Sequence, residues 1–314
     1  VEEREHEWLR GKPIVVGADP KKGRGRGVVS TANYKAREYG IRSALPISKA
    51  WELSEAAKKK GLEPAVFLST NFAEYERTSS RIMEILKTFS NTIEQASIDE
   101  AYFEIENLKF DPSADGRNLY PPKFSKKTWE GEQIWKKAET IAKKIKAEIK
   151  KKEKLTCSIG IGPNKLIAKI ASDFRKPNGL TIITEDEKES FLEPMTVRKI
   201  PGIGPKTEFL LKKMNVATVR DLKGFTEFEL FELMGKWGKE LYQKVRGIDD
   251  SPLETFYESK SIGEQETFDE DTRSPDILIA KLNEMSERIL QRMEREGFIG
   301  FRTIAITVRF TGFE

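Results

Sequence analysis

Two adjacent carboxylates, Asp99 and Glu100, stand in a largely apolar run at residues 96–103. Burying an unpaired charge costs several kcal/mol, so such a pair usually holds a metal ion or a buried cation. Because neighbouring residues on a strand point to opposite faces, both carboxylates can serve one metal cluster only at a bend or a strand end. The alternative is a tight turn with solvated acids, which the pair taken alone favours.

A second group of side chains would suit a polyphosphate. We predict a helix through residues 31–37, opened by a Ser/Thr cap. Tyr34 and Arg37 would then lie one turn apart on one face, where a hydroxyl and a guanidinium can bind phosphate oxygens. Thr31 and Lys176 complete the group. The alternative is a surface arginine beside a half-buried tyrosine, and these residues alone would favour it.

The sequence PGIG at residues 201–204 predicts a tight turn before a helix. The exposed N–H groups at such a helix start can hold a phosphate oxygen, and contacts to the DNA backbone do not read bases. Lys206, Lys212 and Lys213 follow directly and favour DNA binding. An ordinary turn between helices is the alternative.

Apolar and polar side chains alternate along residues 303–310, which predicts a strand. Its apolar face should pack on a predicted helix at 275–295. Thr307 and Arg309 would face outward and suit a duplex backbone, although a plain solvated face fits equally well. With a further strand at 262–268, this segment predicts a strand–helix–strand module.

The remaining pattern predicts the elements that position these groups. Strands are expected at 14–17, around Asp99 and Glu100, and at 155–161. Helices are expected at 48–60, 72–89, 136–154 and 164–174, with short helices between about 200 and 246. Residues from about 108 to 135 are rich in Pro, Gly and Asn, which indicates a surface insertion.

Composition excludes several classes of protein. The 314 residues are 38% hydrophobic and 34% charged with a net charge of +4, so the balance alone does not indicate nucleic-acid binding. A single cysteine, Cys157, rules out an internal disulfide, and with one histidine it argues against a structural zinc site. Cys157 should be a small buried thiol. No apolar run approaches membrane-span length, so we expect a cytoplasmic protein without membrane contact.

Across nearly the whole chain, ordered motifs resemble the Y-family translesion DNA polymerases, most closely the DinB/polymerase IV type. These motifs are VEER (1–4), GKPIVVG (11–17), STANYKAR (30–37), SIDEAY (97–102), SIGI (158–161), NK (164–165), KIAS (169–172), KPNG (176–179), PGIG (201–204), RGID (246–249) and KSIG (260–263).

The resemblance implies an α+β right-hand fold: a palm with a mixed sheet and helices, small fingers, a helix-hairpin-helix thumb and a partial α/β little finger. The implied boundaries are fingers 1–70 with a remnant of the N-terminal palm, palm 71–183, thumb 184–248, linker 249–259 and an incomplete little finger 260–314. Both chain ends are expected to be truncated. In the family, a further metal-binding Asp and an aromatic steric gate precede the segment that matches residues 1–4.

The resemblance also implies roles for individual residues. Asp99 would bind two Mg²⁺ ions, and Glu100 would hold the metal at the primer 3′ end. Thr31, Tyr34, Arg37 and Lys176 would bind the incoming triphosphate. Val28, Ser30 and Ala44 would cover the nascent base pair. Duplex contacts would come from Gly202, Gly204, Lys206, Lys260, Thr307 and Arg309.

The implied function is template-directed transfer of dNMP to a primer 3′ hydroxyl with low fidelity, across damaged template. Partners would be primer-template DNA and dNTP, with the protein a monomer. Binding of a sliding clamp is left open, because the tail that usually carries that motif in the family is expected to lie in the truncated C-terminal part. Without the further metal-binding Asp, the chain as given is expected to bind Mg²⁺ poorly and to polymerise little.

Three other functions remain alternatives. A non-catalytic DNA-binding protein would have lost the two acids, and a two-metal nuclease would not need the Tyr34, Arg37 and Lys176 group. A deoxycytidyl transferase of the same family is a narrower alternative.

Overall fold

The structure is a computed structural model that describes residues 1–104 and 132–310. Most of the insertion predicted at 108–135 lies outside the described residues. The chain divides into two compact units: Ala73–Phe256 together with Val1, and Glu2–Phe72 together with Tyr257–Glu314. In the described parts, no helix has both the length and the apolar character needed to cross a membrane.

The unit that begins at Glu2 is built on a mixed sheet. Its strands are β1 (Ile14–Gly17), β2 (Val29–Ala32) and β3 (Val66–Leu68), in the order β2-β1-β3. Strand β1 pairs antiparallel with β2 and parallel with β3. The helices of this part are α1 (Glu2–Glu5), α2 (Tyr34–Glu38) and α3 (Ile47–Lys59), with short 3-10 helices at Glu7–Leu9 and Lys21–Gly23. Apolar residues of β1, β2, α2 and α3 form its core.

The helix predicted for residues 31–37 is wrong at its start. Thr31 lies in strand β2, and α2 begins only at Tyr34. The cap is Asn33, whose side chain accepts a hydrogen bond from the Ala36 amide at 3.1 Å. The same side chain accepts from the Ile14 amide at 2.9 Å and so joins the helix start to β1. Asparagine caps a helix as well as serine or threonine does, and the tertiary bond to β1 fixes which residue serves.

The two strands predicted for residues 262–268 and 303–310 are also wrong. Helix α12 (Pro275–Arg295) forms as expected, but both flanking segments lack strand pairing in the described residues. The apolar face predicted to be buried is open, with exposed fractions of 73% at Ile304, 64% at Ile306 and 56% at Val308. Alternation shows which face is apolar, but a strand also needs a neighbour that completes its ladder of hydrogen bonds.

The second unit carries two short sheets between long helices. The antiparallel hairpin consists of β4 (Ile93–Gln95) and β5 (Ala101–Phe103), and the parallel pair of β6 (Ile159–Ile161) and β7 (Leu180–Ile182). The helices are α4 (Phe72–Lys87), α5 (Glu132–Glu153) and α6 (Lys165–Phe174). Helices α4 and α5 pack through apolar residues such as Met83, Ile141 and Ile145. The predicted strand 155–161 is shorter than expected, because only its last three residues pair.

Helix α6 approaches β6 so closely that only glycine fits between them. A Cβ atom on Gly160 would lie 2.0 Å from the Ala168 carbonyl oxygen. The apolar face of α6 packs into the largest buried cluster of the described residues, to which it contributes Leu166, Ile167 and Ile170. The position of α6 is therefore fixed on both sides, by β6 and by that cluster.

Short helices continue that cluster up to residue 244. They are α7 (Lys188–Leu192), α8 (Pro205–Lys213), α9 (Val219–Lys223), α10 (Glu227–Met234) and α11 (Lys236–Lys244), with a 3-10 helix at Val197–Lys199. Thr218 opens α9 and Thr226 opens α10 with capping boxes, so sequence signals define both starts. The prediction of short helices up to about residue 246 is confirmed.

The thiol of Cys157 gives a test of this packing. Burial raises the pKa of Cys157, although the charge of Lys146 opposes the shift. Since the thiolate is the reactive form, we expect iodoacetamide to react at pH 8 at least about tenfold more slowly with native protein than with urea-unfolded protein. Cys157 is the sole cysteine, so mass spectrometry reads one site. Equal rates in the two states would show that the thiol is open.

Candidate active site

The two acids predicted to carry chemistry lie at the tip of the β4–β5 hairpin. Asp99 sits in the bend and Glu100 directly precedes β5. The amides of Ala96 and Ser97 both donate to the Glu100 carbonyl oxygen, at 3.0 and 3.2 Å, which closes the turn. Asp99 is exposed, and the Glu100 side chain is 38% exposed. The predicted bend between paired strands is confirmed, and a bend lets consecutive carboxylates face one side.

In each of the two carboxylates, one oxygen accepts a hydrogen bond from another described residue. The Ser97 hydroxyl donates to Oδ1 of Asp99 at 2.7 Å. The ammonium group of Lys169, from α6, donates to Oε1 of Glu100. The second oxygen of each side chain has no hydrogen bond to the described residues. Oxygen donors are therefore available at the hairpin tip.

A second ion pair holds the base of the hairpin to α6. Lys165 lies one turn before Lys169 and donates to both oxygens of Glu94, at 2.6 and 2.9 Å. Glu94 pairs with Tyr102 across the hairpin, and the Lys165 ammonium lies 5.4 Å from the Tyr102 ring centroid. Burial raises the pKa of Tyr102 to about 12, and the nearby Glu100 carboxylate adds to the shift. Tyr102 therefore stays neutral at physiological pH.

The Glu94 and Lys165 pair also holds the segment that follows α11. Lys165 donates to the Pro252 carbonyl at 3.2 Å, and the Glu254 amide donates to Glu94 at 2.8 Å. The start of α6 makes a related contact, because the Leu166 amide donates to Asp249 at 3.0 Å. The roles of Glu94, Lys165 and Lys169 were not predicted from the sequence. The four-residue spacing of the two lysines, opposite two glutamates, is the signal that could have found them.

The donor set at the hairpin tip fits a hard divalent cation. Mg²⁺ takes oxygen ligands, and one or two protein carboxylates suffice when waters and substrate phosphates fill the other positions. The described residues include no cluster of three or more His, Cys, Asp or Glu side chains arranged to hold a metal. At the hairpin tip, Asp99 and Glu100 would supply two ligands of a Mg²⁺ site, and waters and substrate phosphates would supply the others.

In the other unit, Tyr34 and Arg37 share one face of α2, as predicted. The Arg37 guanidinium lies 5.2 Å from the Tyr34 ring centroid and donates to the Ala32 carbonyl at 2.9 Å. Tyr34 is 46% exposed. Thr31 is also exposed, and a register shift between Val16 and Gly17 inserts one extra residue, Ser30, beside it in β2. These contacts leave the tyrosine hydroxyl and part of the guanidinium open to solvent.

The residues predicted to cover a base pair come together beside β2. The Ala44 amide donates to the Val29 carbonyl at 2.8 Å, and Val28 pairs with Pro46 in an isolated antiparallel β-bridge. Val28, Ser30 and Ala44 are all exposed. Their proximity follows from backbone pairing between distant segments, which no local pattern reports.

Lys176 follows α6 and belongs to the unit of the hairpin. It forms an ion pair with Asp173 at 2.5 Å and remains 42% exposed. The convergence of Lys176 with Tyr34 and Arg37 stays a prediction.

The PGIG sequence forms the predicted turn before α8. Gly202 has φ +100, and a Cβ atom there would lie 3.2 Å from the Trp237 ring. Gly204 occupies the cap position of α8 without a side-chain cap, and Pro205 follows at the first helical position. The amides of the first turn therefore stay open, as a phosphate site requires. Lys206 is exposed beside them.

The remaining predicted DNA contacts, Lys260, Thr307 and Arg309, are exposed. Since residues 303–310 form no strand, the alternation argument for Thr307 and Arg309 no longer holds. Their contact with DNA stays a prediction of the resemblance alone.

Comparison with known proteins identifies the class. Residues 1–173, more than half of the chain, match the impB/mucB/samB family, 198–249 the DNA polymerase-iota thumb domain, and 259–314 the impB/mucB/samB C-terminal domain. DNA polymerase IV 2 of Methanosarcina mazei is 40% identical over 313 residues, which cover 100% of this chain and 76% of the relative.

Two solved structures agree with this match. A chimera of Y-family DNA polymerases superposes with a TM-score of 0.75 at 31% identity, over 93% of this chain and 76% of the other. An insertion ternary complex of Dbh DNA polymerase gives 0.64 at 32% identity, over 81% of this chain and 65% of the other.

The fold and these matches define a right-hand polymerase with palm, fingers and thumb, and the predicted α+β class is confirmed. The chain belongs to the DinB-type Y family of DNA polymerases. It is a DNA-directed DNA polymerase of the translesion class, a nucleotidyltransferase.

The PGIG turn predicts a contrast between its two glycines. Gly202→Ala should destabilise the protein by about 1–3 kcal/mol, because alanine disfavours a positive φ and its Cβ would press on Trp237. Gly204→Ala should cost less than about 1 kcal/mol, since φ is −84 and the nearest atom to a Cβ is 3.9 Å away. Urea unfolding measures both. Equal losses would contradict this account of the turn.

Proposed function

We propose that this polymerase transfers dNMP to a primer 3′ hydroxyl by a two-metal mechanism in which Asp99 and Glu100 bind the metal ions. The observation that supports this most is their placement at an exposed bend, where each keeps a free carboxylate oxygen. Mg²⁺ is the ion we assign, on the chemistry of the donors. When bound, such ions neutralise developing charge on the phosphate and favour ionisation of the attacking hydroxyl.

We assign binding of the incoming triphosphate to Thr31, Tyr34, Arg37 and Lys176. The exposed hydroxyls of Thr31 and Tyr34 can donate to phosphate oxygens, and the two cations offset their charge. The ring of Tyr34 and the carbonyl of Ala32 restrict the guanidinium of Arg37, so less conformational freedom is lost on binding. These groups would orient the triphosphate for in-line attack.

Primer-template DNA and dNTP are the partners of this reaction, and the insertion ternary complex of a relative supports them. We assign duplex backbone contacts to the amides around Gly202 and Gly204 and to Lys206, with Lys260, Thr307 and Arg309 as further contacts. Low fidelity would follow from the small exposed side chains at Val28, Ser30 and Ala44, which leave room around a nascent base pair.

The proposed domains are fingers at 1–70, palm at 71–183, thumb at 184–248, linker at 249–259 and little finger at 260–314. A monomer in the cytoplasm is the proposed working form.

The two-metal assignment predicts a selective loss of chemistry. In the full-length enzyme, Asp99→Ala should slow single-turnover primer extension roughly a hundredfold to a thousandfold, because a metal ligand contributes several kcal/mol. Its affinity for primer-template DNA should change little. Asp186→Ala, at an exposed turn of the same unit, is the matched control and should extend primers normally. Near-normal extension by Asp99→Ala would contradict the assignment of Asp99 as a metal ligand.

The triphosphate assignment predicts a different kinetic change. Arg37→Ala should raise the KM for dNTP roughly tenfold to a hundredfold, since a charge-assisted bond contributes about 1.5–3 kcal/mol. Duplex affinity should fall much less. Arg42→Ala removes an exposed arginine of the same unit and serves as the control. A loss of duplex affinity that equals the rise in KM would assign Arg37 to DNA instead.

A further inference from the structure

Helix α6 presents two cations to the hairpin, and they differ in surroundings. Lys165 and Glu94 are 22% and 14% exposed, and each makes further bonds to the segment around residues 252–254. The side chains of Lys169 and Glu100 are 26% and 38% exposed, and among the described residues they hydrogen-bond only to each other. The Lys165–Glu94 pair therefore belongs to a hydrogen-bond network, whereas the Lys169–Glu100 pair is an isolated and partly exposed ion pair.

The position of Lys169 matters because Glu100 is one of the two proposed metal ligands. An ammonium group donates hydrogen bonds and cannot share a carboxylate oxygen with a divalent cation at close range without strong repulsion. In the structure it neutralises one of two adjacent negative charges that would otherwise repel each other. The long flexible lysine side chain can leave Glu100 without moving α6, whose apolar face is buried.

We propose that Lys169 is a resident counter-ion of Glu100, which competes with the divalent cation and thereby sets the metal affinity of the hairpin tip. Lys169 is thus a positioning residue: it holds the Glu100 carboxylate before the metal binds and releases it when the metal binds. The proposal rests on the assignment of Asp99 and Glu100 as metal ligands made above.

The test measures Mn²⁺ binding to the full-length enzyme by electron paramagnetic resonance of the free ion, without DNA or nucleotide. Lys169→Met removes the charge and keeps the length of the side chain. It should tighten Mn²⁺ binding roughly tenfold, because a like charge beside a binding site weakens the site by about that factor. Lys143→Met removes an equal charge from an exposed lysine of the same unit, whose partner Glu139 lies on its own helix α5, and should change the Kd by less than about twofold.

Two further variants distinguish a failure of the counter-ion proposal from a failure of the metal-ligand assignment on which it rests. Lys169→Arg keeps the positive charge and should stay within about twofold of wild type. Asp99→Asn removes a ligand and should weaken binding at least about tenfold. If Asp99→Asn has no effect, the metal assignment fails and the counter-ion proposal falls with it. If Asp99→Asn weakens binding but Lys169→Met leaves it unchanged or weaker, only the counter-ion proposal is overturned. Tightening by Lys169→Arg equal to that of Lys169→Met would also overturn it.

Discussion

The two-sided character of α6 is the constraint on which the unit of residues 73–256 depends. Its apolar face lies in the largest buried cluster, which continues through the helices up to residue 244. Its opposite side carries Lys165 and Lys169, which hold the base and the tip of the β4–β5 hairpin. Because one helix serves both, hydrophobic burial fixes where the cations lie, and the cations fix the acidic hairpin. The side chains of the two pairs are only 14–38% exposed, and the cost of removing charge from water offsets much of the attraction between partners, so their main effect here is positional.

The balance of charge at the hairpin explains how exposed and half-exposed acids can stand side by side. Two neighbouring carboxylates raise each other's free energy, and a buried version would require a permanent partner. At the bend, solvent and the Ser97 hydroxyl serve Asp99, while Lys169 serves Glu100. Because the Lys169–Glu100 pair is partly exposed, a divalent cation can replace the ammonium group at Glu100, an exchange that a fully buried salt bridge would resist.

Much of this organisation could be predicted from the sequence. The acidic bend, the tight PGIG turn, the short helices after it and the shared face of Tyr34 and Arg37 all follow from local signals. Residues 303–310 show the limit: their alternation is clear, yet their apolar side chains are exposed. A strand depends on a partner elsewhere, and local alternation carries no information about that partner. Likewise Thr31 lies in a strand because β1 pairs with it, against the helical pattern that follows.

The spacing of the two lysines also restricts which length changes α6 can accept. Each residue turns an α-helix by about 100°, so deleting or inserting one residue between positions 165 and 169 would swing one ammonium group off the hairpin. The same shift would move Ala168 away from Gly160, where the helix backbone touches β6. Gaps within this turn should therefore be absent among homologues. Residues 165–172 are all buried or partly buried, so α6 can accept a change of length only towards its exposed end at Asp173 and Phe174.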